Sequence, residues 1–180
     1  MQYIKGLDSY SNENQTAITI GKFDGLHLGH EVLIQKIREH QEKDNVDSVV
    51  LSFDVSSFSA QKNIISNEEK RNLLENQVDY LVECILDEQI SHMEAEDFVK
   101  EILVDKFHAK YIVVGKDFRF GYQKQGDNKL LCELGKTYGY QVEVVPDVCY
   151  DNKKVSSTYI RELLEKEEYE LAEKLLGHHR

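Results

Sequence analysis

An α/β domain with a parallel sheet, arranged in three Rossmann-like layers, is the fold class this sequence predicts, and three observations carry the prediction. Short apolar and β-branched runs alternate with segments of helical periodicity along the whole chain. The helical segments between them are about ten residues long or more, the length a right-handed crossover between parallel strands needs. Finally, there is a single proline, Pro146, and no internal repeat or linker, so 180 residues with 41% apolar content are read as one domain over 1–180.

The elements follow in order. Residues 17–20 read as a short buried strand, and 31–39 as an amphipathic helix with Val32, Leu33, Ile34 and Ile37 apolar. Residues 48–53, rich in valine and leucine, form a second buried strand. Ser66, Asn67, Glu68 and Glu69 spell a capping box that starts a helix running to about Asn76, with a strand over 80–86 behind it. Ser91, His92, Met93 and Glu94 spell a second box, opening a helix with Phe98, Ile102, Leu103 and Phe107 on its apolar stripe. Residues 111–114 are the strongest strand signal in the chain. A glycine-bearing loop over 115–127 leads to a helix near 128–138 and a strand over 141–145. The last third is helical, with Glu162, Glu165, Glu168 and Glu173 alternating with Leu163, Leu164, Leu171 and Leu175 as a solvated face does. In such sheets ligands collect at the carboxyl ends of strands, where the turn after residue 20 and the loops 52–59 and 116–127 would converge.

Composition limits the partners. With 33 acidic and 22 basic side chains the net charge is −11, which argues against a broad footprint on nucleic acid. A small nucleotide is still admitted, because local amides and a few cations decide that contact. No apolar run approaches the roughly 20 residues that cross a bilayer, and the amino terminus has no signal-peptide pattern, so a cytoplasmic protein without membrane contact is expected. Cys84, Cys132 and Cys149 are unclustered, as in a reducing compartment, and read as packing residues.

The most informative string is Gly21-Lys22-Phe23-Asp24-Gly25-Leu26-His27-Leu28-Gly29-His30. It sets two histidines three apart just beyond a strand, on one face of a helix's first turn. Unpaired amides and the positive end of the helix dipole attract anions there, while Gly25 and Gly29 let phosphates approach the backbone. Imidazoles that merely hydrogen-bond the turn are the plain alternative. Zinc is another, but no cysteine stands at ligand spacing. A second anion site is spelled by Val155-Ser156-Ser157-Thr158-Tyr159-Ile160-Arg161, hydroxyls at a helix start followed by a guanidinium able to hold phosphate bidentately. Its plain alternative is an N-cap with Arg161 paired to a nearby acid. Between them lies Gly115-Lys116-Asp117-Phe118-Arg119-Phe120-Gly121, followed by Gly126-Asp127. Phe118 and Phe120 could wall an isoalloxazine ring while Arg119 meets a phosphate or ring carbonyl, although one phenylalanine is expected in the core. In an extended segment the two rings would face opposite ways.

These three strings, in this order, resemble the signatures of the nucleotidylyltransferase superfamily in the form found in bacterial FAD synthetases. The histidine string resembles the superfamily's first signature, residues 156–161 resemble its S-S-T-x-x-R motif, and residues 115–121 resemble the G-x-D-F-R-F-G segment that points to a flavin. The resemblance covers nearly the whole chain and is to the N-terminal module of the bifunctional riboflavin kinase/FMN adenylyltransferase family. There, a segment like 172–177 leads into a C-terminal riboflavin kinase module, so kinase activity is expected to be absent here. Two departures stand out: the family's T-F-x-P-H-P is replaced by Ser52-Phe53-Asp54-Val55-Ser56-Ser57, and Tyr159 stands where S-S-T-R-I-R has an arginine.

The resemblance implies transfer of AMP from ATP to FMN, giving FAD and pyrophosphate, with Mg²⁺ on the phosphates. It places His27 and His30 at the reacting phosphoryl group, and Ser156, Ser157, Thr158 and Arg161 on the outer phosphates. Gly21, Lys22, Phe23, Asp24 and Gly29 complete the ATP turn, and Asp117, Phe118, Arg119, Phe120 and Gly121 take the flavin. Metal ligands are left open, since Asp24 could equally brace the turn. Two other functions fit the same residues: a sister nucleotidylyltransferase with another phosphorylated acceptor, or a nucleotide- or flavin-binding regulator with impaired catalysis.

Overall fold

The computed structural model describes residues 1–54 and 62–178. Six strands, β1 (Gln2–Lys5), β2 (Thr16–Gly21), β3 (Asp47–Asp54), β4 (Tyr80–Ile85), β5 (Ala109–Gly115) and β6 (Gln141–Val145), form one parallel sheet in the order β1, β4, β3, β2, β5, β6. Around it lie α1 (Leu28–Asp44), α2 (Asn67–Leu74), α3 (Glu88–Ser91) and α4 (Ala95–Asp97), the last continued by a π-helical stretch (Phe98–Lys106). Then come α5 (Asn128–Tyr138), an antiparallel hairpin of β7 (Cys149–Tyr150) and β8 (Lys153–Lys154), α6 (Ser157–Glu165) and α7 (Tyr169–Leu176).

Successive strand residues point to opposite faces, and both faces are covered, which is why the strands read as unbroken apolar runs. Ala17, Val50, Leu81 and Val113 cluster on one face with Ile37 of α1, Ile160 of α6 and Leu175 of α7. Ile18, Val49, Val82 and Ile112 cluster on the other with Leu103, Phe107 and Leu131 of α5. The chain builds outward from β2 through β3 to β4, then returns to place β5 on the opposite side of β2. At that reversal the segment after β2 enters α1 on one face and the segment after β5 leads to α5 on the other, so a crevice opens between their strand ends.

Several local expectations are met and several corrected. Both reciprocal bonds of the Ser66 capping box form: Glu69 N to Ser66 Oγ at 3.1 Å, and Ser66 N to the Glu69 carboxylate at 2.7 Å. The Ser91 box does not form. Asp87 caps α3 by accepting from Ile90 N at 2.9 Å, Ser91 donates its hydroxyl to the Glu88 carbonyl, and the next helix begins at Ala95 with no side-chain cap. Its serine is used at the far end of a helix that starts earlier. α1 is longer than the 31–39 segment at both ends. Strand β1 carries no strand pattern in the sequence, because only Tyr3 and Ile4 are apolar in it; it pairs at the sheet edge with β4. The hairpin interrupts the expected all-helical last third. Asp151 and Asn152, at φ 47° and 61°, form its turn, which needs two left-handed residues to match strand twist. Loop residues 55–59 of the 52–59 segment lie outside the described residues, and with them the altered positions Val55, Ser56 and Ser57. No helix among the described residues is long and apolar enough to cross a membrane.

Candidate functional site

Between β2 and α1 the backbone makes a tight turn in which Phe23, Gly25 and Leu26 all take left-handed φ values of 47°, 87° and 44°. Left-handed backbone costs a side-chain-bearing residue roughly 1–2 kcal/mol. The burial of Phe23 and Leu26 in the core offsets it. Phe23 is therefore a core anchor whose ring lies 5.0 Å from that of His30, and its side chain is not open to a ligand.

Asp24 is enclosed in the same turn. One carboxylate oxygen accepts from the Ile64 amide at 2.7 Å, the other pairs with Arg161, and its carbonyl accepts the Ser157 hydroxyl at 2.7 Å. Sequentially distant segments thus meet, with Asp24 bracing the turn and Arg161 in the acid pairing its plain reading expected. His178 closes the back of the turn through Nε2 on the Gly25 carbonyl at 2.8 Å.

His27 is the N-cap of α1, and its carbonyl accepts the amides of His30 at 2.7 Å and Glu31 at 3.1 Å. The His27 side chain makes no capping bond of its own. The imidazoles of His27 and His30 stack with centroids 3.7 Å apart and planes 17° apart. A Cβ on Gly29 would come within 3.1 Å of the His27 ring, so the glycine makes room for the pair. Burial drives the His27 imidazole down to about 4. It pushes His30 well below its ordinary value too, helped by its neighbour and by the Lys70 ammonium. Both rings are neutral near pH 7, and in each the buried Nδ1 has no partner among the described residues. A buried polar atom without a partner is costly, so two side by side mark a place where a ligand belongs.

A cleft of about 190 Å³ runs beside the pair, lined by His27, Gly29, His30, Lys116, Pro146, Asp147 and Lys154. No motif in the sequence marks Lys154. From β8 it reaches Asp117 at 2.5 Å and Asp147 at 2.7 Å. Partial burial pulls its ammonium down, but the two carboxylates outweigh that and hold it above the usual lysine value. Asn128 ties the loop after β5 by donating to the Gly115 and Lys116 carbonyls at 3.1 and 2.9 Å.

Across the crevice lies a larger cavity of about 600 Å³, within the usual range for ligand pockets. Phe53, Leu86, Ile90, Phe98, Phe118 and Phe120 wall it, with Gly21, Lys22, Arg119 and Gly121 at its border. Phe120 is buried and Phe118 half-exposed, but their rings stack at 5.5 Å and 19° where an extended segment would have turned them apart. The reason is a turn at Lys116 and Asp117 and the mutual amide–carbonyl bridge between Phe120 and Gly126. Gly121, at φ 72°, touches the Ala95 backbone so closely that a Cβ would sit 2.6 Å from its Cα. Arg119 is exposed and donates to its neighbour's carbonyl, and Asp127 caps α5 through the Leu130 amide. Asp117 and Phe118 line both cavities. At the start of α6, Ser156 caps by accepting from the Tyr159 amide, Thr158 is exposed, and the Tyr159 ring carries the Lys153 ammonium 3.5 Å from its centre. Among the described residues no cluster of three His, Cys, Asp or Glu side chains could hold a metal ion.

The family model for FAD synthetase matches residues 9–159. Curated relatives include the bifunctional riboflavin kinase/FMN adenylyltransferases of Buchnera aphidicola subsp. Schizaphis graminum, 36% identical over 98% of this chain, and of Escherichia coli K12, 34% identical over 99%. The chain spans 60% of the length of each. Among solved structures, a Streptococcus pneumoniae chain described as a macrolide-efflux protein superposes with a TM-score of 0.85 at 26% identity, covering 99% of this chain and 62% of that one.

Proposed function

Because the chain belongs to the FAD synthetase family, we propose that it transfers AMP from ATP to FMN, releasing pyrophosphate. The observation that carries this reading is the pair of neutral imidazoles whose buried Nδ1 atoms have no partner among the described residues, set at the start of α1 between a small cleft and a large aromatic cavity that share Asp117 and Phe118.

In this reading ATP lies along the start of α1 with its nucleoside toward the cleft, and the isoalloxazine ring fills the aromatic cavity. The FMN phosphate then projects toward the strand ends of β2 and β5. One of its oxygens attacks the α-phosphorus in line and the bond to the β-phosphate oxygen breaks. The nucleophile is already ionised, so no protein base is needed, and the rate comes from alignment and from stabilising the charge that grows on the phosphoryl and leaving oxygens. His27 and His30 supply neutral N–H donors for that charge, poised in a site that water reaches poorly. Arg161 and the Ser157 hydroxyl turn from Asp24 to the outer phosphates when the nucleotide arrives. Gly21 and Lys22 form the border between the two substrates, Arg119 guards the flavin's polar edge, and Thr158 adds a hydroxyl at the opening of α6. Mg²⁺, when bound, would be held chiefly by the phosphates and would neutralise part of their charge, since no three His, Cys, Asp or Glu side chains cluster to hold it among the described residues. These 180 residues are assigned this one reaction, and phosphorylation of riboflavin is not assigned to them.

Incubation with ATP and Mg²⁺ and, in parallel, FMN, riboflavin or phosphopantetheine tests the reading, with pyrophosphate release and chromatography of the products as readouts. FAD should form with FMN alone. Adenylylation of phosphopantetheine instead would show a sister enzyme, and flavin binding without pyrophosphate release would show a regulator; either outcome overturns it.

A further inference from the structure

At the carboxyl ends of β3 and β4 lies a buried charge pair that the reaction above leaves unused. Lys70 of α2 and Glu83 of β4 face each other at 3.3 Å, with side-chain exposures of 7% and 6%. Two charges taken out of water rarely add stability over a well-packed apolar pair, so their presence beside a candidate site invites a functional explanation. Tyr3 donates its hydroxyl to the second Glu83 oxygen at 2.6 Å, and the Arg71 guanidinium covers the Tyr3 ring at 4.2 Å. The remaining contact leads toward the turn: Lys70 Nζ donates to Ser52 Oγ at 2.9 Å, and Ser52 Oγ donates to the carbonyl of Lys22 at 3.2 Å.

We propose that Lys70 and Ser52 are positioning residues, which act on the adenylyl-transfer site by locking the Lys22 carbonyl and with it the exit of β2 into the histidine turn. The inference rests on the function proposed above. The chemistry makes the relay directional. An ammonium can only donate, so Ser52 must accept from it, and the hydroxyl's one proton goes to Lys22. A hydroxyl polarised by a cation is a stronger donor, so the buried charge tightens a bond that Lys70 itself does not make. Glu83 compensates the charge and fixes the ammonium's place. Neither Lys70 nor Ser52 lines the smaller cleft or the aromatic cavity, so their influence passes through the backbone. The turn they hold carries three left-handed residues, Phe23, Gly25 and Leu26, whose geometry must be over-determined to persist. Lys70 also stands close enough to His30 to oppose a proton on it.

The test measures kcat, KM for ATP and thermal midpoint for S52A, S52T, K70M and the K70M/S52A double variant. S52A should lower kcat about ten- to a hundredfold while its midpoint stays near the parent's, as expected for a displaced reacting group. S52T, which keeps the hydroxyl, should recover most of that loss. K70M should lose at least as much, and the double variant should be no worse than K70M alone, since both break one relay. Parental kcat in S52A overturns the proposal. So do additive losses, or a K70M defect that disappears on cooling in step with refolding. If the parent makes no adenylylated product, the function assigned above has failed, and calorimetric ATP affinity across the same series still judges the relay. Weaker binding in S52A restored by S52T supports it, and equal binding in all four overturns it.

Discussion

The turn after β2 and the loop after β5 leave adjacent strands, yet each is held differently. From Gly21 to His30 the backbone is bent into left-handed positions and braced by Asp24, Ser157, Arg161 and Ser52, and polar atoms are left over: two imidazole nitrogens with no partner among the described residues. From Gly115 to Asp127 the backbone satisfies itself through the Phe120–Gly126 bridge and the Asn128 amide, and what is left over is space, walled by phenylalanines. In the function proposed above, the first region takes the phosphates and the second the flavin ring. Chemistry shared by many acceptors needs only the former, while the choice of acceptor needs the latter, so one fold can keep its reaction and change its substrate by altering one loop.

The largest expected effect separates the two regions by rate. His27→Ala and His30→Ala should each lower kcat on the order of 10²–10³-fold, with flavin affinity by fluorescence titration nearly unchanged. Comparable losses in both quantities would merge the two regions into one.

Next comes the acid response, which between pH 7 and 4.5 should come mainly from the turn. His27 titrates near 4 in the folded protein against about 6.5 unfolded, so between those values the unfolded chain binds the extra proton. Stability is then whole above pH 6.5 and falls as pH drops toward 4, by roughly 3 kcal/mol for this one group, with His30 acting in the same direction. Urea midpoints at about pH 7 and pH 4.5 should show the loss in the parent and less of it in His27→Ala. A parent profile that stays flat would mean that the imidazoles are more open to water than their burial indicates.

In the loop region, Gly121→Ala asks a left-handed residue to carry a Cβ against the Ala95 backbone. A loss of at least about 1–2 kcal/mol in stability is expected, with weaker FMN binding and unchanged ATP binding by calorimetry. Phe118→Ala should be gentler. The half-exposed ring leaves the core intact, so KM for FMN should rise about tenfold while the thermal midpoint moves little. An equal rise in KM for ATP would show that the shared wall belongs to the nucleotide side. The smallest effect is assigned to Lys154→Ala. Its side chain is 43% exposed, and exposed ion pairs are worth about 0–1 kcal/mol, so KM for ATP should change by a few-fold at most, and less at high salt.

How much of this was legible beforehand follows from the range of each interaction. The histidine pair, the hydroxyl segment and the aromatic loop are local strings, and a strand followed by glycine and a helix start can be read without the rest of the molecule. So could the Ser66 box, whose two partners are three residues apart. The Ser91 box has the same letters and failed because Asp87, four residues earlier, had already begun a helix. Lys154 and Lys70 looked like any surface lysine. Nothing in a single sequence marks Lys154, one of whose acids lies 37 residues away, or Lys70, whose acid lies 13 residues away.

By itself, then, the order of residues determined the alternation of strand and helix, the parallel sheet it demands, and which short segments offer donors and aromatic rings. Those depend on periodicity and neighbours within a turn or two. Tertiary structure decided what those segments face: that Phe23 is an anchor, that Asp24 braces, that Arg161 starts paired, that Phe118 and Phe120 stack, and that a buried lysine reaches the turn through a serine. Such outcomes are set by packing between elements far apart in sequence, where burial changes the cost of every unpaired charge and hydrogen bond.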